Sequence, residues 1–100
     1  MDIVFEYDDI KQSDTLEAIA REKLENLANK YQEIVRADVF IKEENTSSPD
    51  TGKICNIRLS IPGPRLFAES SHNNFESSLL ESVKELERQL RKRKTKMRTY

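Results

Sequence analysis

Apolar residues recur with two different periods along this chain, and the switches between them divide it into six blocks. Ile3, Phe5 and Tyr7 alternate with Val4 and Glu6 as far as the acidic pair Asp8 and Asp9, which predicts a short strand. From Ser13 or Asp14 the spacing changes to three and four: Leu16, Ala20, Leu24, Leu27 and Tyr31 fall on one face of an amphipathic helix. Either residue can cap that helix, and Asp14 with Glu17 has capping-box spacing. Period two returns twice. Ala37, Val39 and Ile41 alternate with Asp38, Phe40 and Lys42, and Cys55, Ile57, Leu59 and Ile61 alternate with Ile54, Asn56, Arg58 and Ser60. The polar stretch 44–52 between these strands is expected to be a mobile hairpin loop. Pro62, Gly63 and Pro64 predict a tight reversal into a fourth strand from Leu66 to Ser70. Asn73 with Glu76 then has capping-box spacing ahead of a second helix, whose buried stripe is Phe75, Leu79, Val83, Leu86 and Leu90.

The order β-α-β-β-β-α predicts an α+β fold, a four-stranded sheet with two helices packed on one face, in a layout like that of a double-stranded-RNA-binding domain. The other sheet face stays wet and carries Lys42, Asn56, Arg58 and Ser60. One hundred residues support one core, so a single domain is expected over 1–95 with a short basic tail over 96–100. With 36% hydrophobic and 35% charged residues the chain reads as a soluble globular protein. A lone cysteine and the absence of a signal-like or membrane-spanning apolar run fit a complete cytoplasmic protein.

Charge changes the picture. The formal net charge is −1, yet residues 84–100 hold eight basic and two acidic side chains, so that segment is +6 and the remainder −7. Lys or Arg at a helix C-terminus complements the helix dipole, but one or two residues suffice for that. Arg88, Arg91, Lys92, Arg93 and Lys94 exceed it, and their mutual repulsion is best explained by a polyanionic partner. At about 100° per residue, Lys84, Arg88, Arg91 and Lys92 share one flank that can track a phosphate backbone. Phe5, Phe75, Tyr31 and Phe67 are assigned to packing, which leaves few stacking platforms and favours reading of shape and phosphate over reading of bases.

The inventory argues against an enzyme. Cys55 lies on an apolar strand face, as expected of a buried structural thiol. His72 is the only histidine, without neighbours at zinc-ligand spacing, and reads as a solvated turn or cap residue. With only Gly52 and Gly63, no phosphate-cradling glycine loop exists. Adjacent acids such as Asp8 and Asp9, or Glu43 and Glu44, point to opposite faces of a strand and make poor metal ligands. No cofactor, metal or small-molecule substrate is expected.

The element order, the stretch Asn74-Phe75-Glu76-Ser77-Ser78-Leu79 and above all Leu86-Glu87-Arg88-Gln89-Leu90-Arg91-Lys92-Arg93-Lys94 resemble the ribosome hibernation-promoting factors and ribosome-associated inhibitors. The similarity spans nearly the whole chain, and the first helix joins it through Ser13, Leu16 and Lys23-Leu24 followed by Leu27. The resemblance implies a bacterial, cytoplasmic stress-response factor of the short form, without the dimerising domain of longer members. It implies binding to the small (30S) ribosomal subunit and its 16S rRNA in the channel for messenger and transfer RNA, with translation blocked and idle ribosomes preserved. The rRNA-binding residues it implies are Lys23, Lys84, Arg88, Arg91, Lys92, Arg93 and Lys94, in a protein monomeric when free. A generic structured-RNA-binding module is the alternative. A membrane-binding role ranks lower, because the apolar stripe of the second helix is needed to cover the sheet.

Overall fold

The computed structural model describes residues 1–63 and 65–97. Its elements are β1 (Asp2–Asp8), α1 (Asp14–Lys30), β2 (Arg36–Glu43), β3 (Lys53–Ser60), β4 (Leu66–His72) and α2 (Phe75–Met97). The α+β expectation holds in element order and type. The strands lie in the order β1-β2-β3-β4, β1 parallel to β2 and the other neighbours antiparallel. The parallel pair follows from the helix between its strands, while hairpin connections without a helix join the antiparallel ones. Pro64 of the expected reversal and residues 98–100 of the expected tail lie outside the described residues, and the helix through Met97 takes up the start of that tail.

Alternation sends Ala37, Val39, Ile41, Cys55, Ile57 and Leu59 into the core, where Leu16, Ala20, Leu24 and Leu27 of α1 and Leu79, Leu86 and Leu90 of α2 cover them. Each Val, Leu or Ile side chain among them contributes about 1.5–3 kcal/mol when fully buried. The two helices run in the same direction. Their first turns adjoin, with Ser13, Thr15, Leu16 and Ile19 facing Phe75 and Glu76 across a shallow hollow, and farther along Lys30 Nζ reaches Glu87 Oε2 at 3.1 Å.

Two polar residues deepen the contact of α2 with the sheet. Ser78 and Ser82 are fully buried among the apolar residues of that face. The Ser82 hydroxyl donates to the Cys55 carbonyl at 2.8 Å, and that of Ser78 donates to the Lys53 carbonyl. Small side chains let the helix approach β3 closely, and each hydroxyl is satisfied on the strand it touches. The apolar stripe read from sequence omits both, and its members Phe75 and Val83 are only half-buried.

At the start of α1 the Ser13 alternative holds without the Asp14–Glu17 box, and at α2 the cap lies one residue later than expected. Ser13 caps α1, its Oγ accepting from the Leu16 N–H at 3.2 Å. Glu17 forms no box with Asp14; its carboxylate accepts the Tyr7 hydroxyl at 2.8 Å, while that hydroxyl accepts from the Ser13 N–H at 3.3 Å. Partial burial and this carboxylate raise the Tyr7 pKa. For α2 the cap is Asn74, one residue later than Asn73, with Oδ1 accepting from the Ser77 N–H at 2.8 Å.

The loop expected to be mobile is closed by hydrogen bonds. Glu44 N–H donates to the Gly52 carbonyl at 2.9 Å, Gly52 N–H donates to Ser71 Oγ at 2.8 Å, and Thr46 Oγ1 lies 2.7 Å from Thr51 Oγ1. Gly52 has φ +113°, and a Cβ there would stand 2.6 Å from the Glu44 carbonyl oxygen, so a side chain is excluded twice over. On the open sheet face Ile54 is buried and Phe40 half-buried, so that face is less uniformly wet than its polar residues suggest.

Candidate nucleic-acid interface

Burying Leu79, Leu86 and Leu90 fixes which way the remaining side chains of α2 point. The arc opposite those leucines carries Lys84, Arg88, Arg91 and Lys92, all exposed. From Lys84 to Arg91 is seven residues, about 10 Å along the axis. Lys84, Arg88 and Arg91 line a shallow depression of about 280 Å³ with Glu81 and Glu85. The flank is therefore basic but punctuated by acids, which the sequence-level stripe left out.

One acid organises the flank. Glu85 takes Arg88 in a two-pronged pair, Nε to Oε1 and Nη2 to Oε2, both at 2.8 Å, and its Oε2 also accepts from Gln89 Nε2 at 2.9 Å. The Arg88 hydrogen bonds, followed by that of Gln89, hold the Glu85 carboxyl down at about 2. Gln89 Nε2 donates as well to the Phe67 carbonyl at 3.0 Å, tying this cluster to the start of β4. The guanidinium of Arg88 is thus oriented before any ligand arrives, with Nη1 left as a donor. Among the described residues no ion pair engages Lys84, Arg91 or Lys92.

The other three expected RNA contacts are placed elsewhere. Arg93 turns toward the sheet side of the helix, half-buried, and its Nη2 donates to the Pro62 carbonyl at 3.0 Å. Lys94 swings to the α1 side, its Nζ 5.8 Å from the centre of the Tyr31 ring. Lys23 is exposed on α1, two turns before Lys30 and on the same flank. The structure brings Lys84, Arg88, Arg91 and Lys92 together and separates Arg93, Lys94 and Lys23 from them.

Comparison with known proteins identifies the family. Residues 3–98 match the family described as Sigma 54 modulation protein / S30EA ribosomal protein. The chain belongs to that family. Two solved structures share the fold of this S30EA-family chain. A ribosomal subunit interface protein from Coxiella burnetii superposes with a TM-score of 0.81 at 20% identity, covering 95% of this chain and 99% of that one. The N-terminal domain of Protein Y from Thermus thermophilus gives 0.70 at 15% identity, with 91% and 93% covered. No curated protein sequence matches significantly.

Three residues of this S30EA-family protein stand differently from, or more sharply than, their sequence-level reading. Phe67, assigned to packing, is 46% exposed on the open face of the sheet. His72 is no turn residue: it ends β4, and its Nε2 is paired with Glu81 of α2. Cys55 is buried, which pushes its thiol up to about 12 and leaves almost no thiolate at neutral pH. Among the described residues no group of three or more His, Cys, Asp or Glu is placed to hold a metal ion. No described helix is long and apolar enough to cross a membrane.

Proposed function

We propose that this protein binds the 30S ribosomal subunit through 16S rRNA, occupies the channel used by messenger and transfer RNA, and so keeps ribosomes inactive under stress or in stationary phase. The observation that carries this reading is the outward flank of α2, where Lys84, Arg88, Arg91 and Lys92 stand together opposite the buried leucines. Membership of the S30EA family supports the ribosome as the polyanion, as does the description of the Coxiella burnetii structure as a ribosomal subunit interface protein. Inhibition then needs no chemistry. A folded body wedged by phosphate contacts in the channel excludes messenger and transfer RNA by volume, and no cofactor takes part. Lys23, Arg93 and Lys94 are assigned secondary rRNA contacts, Arg93 and Lys94 after release from Pro62 and Tyr31. The protein acts in the bacterial cytoplasm and is monomeric when free.

The acidic remainder of the chain supplies selectivity. A body of net charge −7 is repelled by any RNA surface that cannot receive the basic flank alone. Purified small subunits should therefore capture the protein in sedimentation far better than duplex RNA carrying the same amount of phosphate. Added protein should lower cell-free translation in proportion to the subunits occupied. Equal competition by duplex RNA would replace this reading with that of a generic RNA-binding module.

A further inference from the structure

The open face of the sheet carries a second cationic surface, on the side away from the helices. Where β2 starts, β3 ends and β4 begins, Arg36, Arg58 and Arg65 line a cleft of about 650 Å³ with Phe40, Asn56 and Ser60. That volume lies within the about 300–1,000 Å³ usual for ligand sites. Glu6 and Asp38 line it too, but Arg36 engages Asp38 through Nε at 3.0 Å and Nη2 at 2.9 Å. Among the described residues no ion pair engages Arg58 or Arg65. At the other end of the face Lys42 is held 3.1 Å from Glu44 and 4.0 Å from Glu69, so the unbalanced positive charge is confined to the cleft end.

Aromatic surface lies in and beside this cleft: Phe40 lines it, and Phe67 borders it on the neighbouring strand. Phe67, 46% exposed, is the register partner of Arg58, and Phe40 is the register partner of Asn56 one row along. The two rings sit two strands apart on one face, about 12 Å between backbones. Phe67 offers a ring face to solvent beside the arginines of the cleft, and that combination narrows the choice of partner. A second copy docking by this face would bring two clefts of net positive charge together. An acidic peptide would use the arginines and leave the rings idle. Single-stranded RNA uses both, since every base offers a π-face to an aromatic ring and every linkage a phosphate to an arginine.

We propose that this cleft binds a segment of single-stranded RNA, with Phe67 and Phe40 as stacking surfaces, Arg58 and Arg65 on the phosphates, and Asn56 and Ser60 at base edges. The site adjoins the basic end of α2, because Arg93 touches Pro62 in the turn that leads to Arg65. It is nevertheless a separate surface and does not depend on the ribosome reading.

The test is an NMR titration of the full-length, ¹⁵N-labelled protein with short single-stranded oligoadenylate. Saturable shifts should concentrate at Phe40, Arg58, Arg65 and Phe67, and oligoadenylate should bind more tightly than oligouridylate because its larger base stacks better. Phe67→Ala and Arg58→Gln should each weaken binding about tenfold. Both side chains are exposed, so the fold should survive, as circular dichroism would verify. Phe67→Leu keeps apolar area without a ring and should lose as much as the alanine variant. The protein with Lys84, Arg88, Arg91 and Lys92 changed to Gln should give the same sheet-face shifts, so that this site and ribosome association are judged separately. The proposal is overturned by the absence of saturable shifts, or by their loss in that helix variant. It is likewise overturned if polyphosphate, polyglutamate or duplex RNA of equal charge produces the same response.

Discussion

Changing Lys84, Arg88, Arg91 and Lys92 together to Gln removes the outward flank of α2 and leaves its buried face alone, since Leu79, Ser82, Leu86 and Leu90 point the other way. Each phosphate neutralised contributes about 0.7 to 0.9 to the slope of log affinity against log salt. Lys84, Arg91 and Lys92 have no ion-pair partner among the described residues, so their loss should flatten the slope by about 2 to 2.7. Arg88 decides the remainder. If it stays with Glu85 it adds nothing, whereas exchanging that carboxylate for a phosphate brings the total to about 3.6. Over the range from about 50 to 200 mM salt a slope change of about 3 amounts to roughly 60-fold in relative affinity. The assay titrates labelled full-length protein with purified small subunits across a salt series, with circular dichroism as the check on folding. A slope altered by less than about 1, or an unchanged affinity at low salt, would refute the assignment of this flank.

Glu85→Gln removes the carboxylate that holds Arg88, so it should raise affinity for small subunits severalfold and steepen the salt slope by up to about 1; weaker binding would mean that Glu85 acts by positioning Arg88 and not by competing with phosphate. Cys55 yields a pH prediction: with its thiol raised to about 12, the folded state resists ionisation, so stability is fully present below the ordinary thiol pKa and is lost as pH rises from about 8.5 toward about 12. Urea unfolding should accordingly show lower stability at about pH 10 than at about pH 7, by a margin that shrinks in Cys55→Ala, and native protein should react with a thiol-specific disulfide reagent only as fast as it opens; rapid labelling of the folded protein would contradict the burial.

The order of elements was legible because periods of two and of three to four are direct consequences of backbone geometry. The facing of the fourth strand was not. Leu66, Phe67 and Ala68 are consecutive apolar residues, so alternation leaves its facing undecided, and tertiary packing settles it by burying Ala68 and Ser70 and turning Phe67 outward. Ser78 and Ser82 were hidden for the opposite reason: a hydroxyl reads as surface until a strand carbonyl is found within reach. The pair Glu85 and Arg88 was visible as an i, i+3 spacing but was masked by counting cations alone.

Helix geometry decides which members of a basic run share one surface. Arg91, Lys92, Arg93 and Lys94 are consecutive, so on a helix their side chains fan over about 300° and cannot share one surface. Two of them face outward with Lys84 and Arg88, one turns back to Pro62 and one lies over Tyr31. Dispersal relieves the repulsion that the density of charge implies, and it gives the two diverted residues contacts within the fold. Leu90 is the last buried leucine of α2, and past it Arg93 and Lys94 tie the following turn to the β3–β4 connection and to the end of α1. The same cations that make the segment basic therefore divide between an exposed outward face and contacts within the fold. The spacing of residues 84, 88, 91 and 92, and not the length of the run, sets the extent of the exposed basic surface.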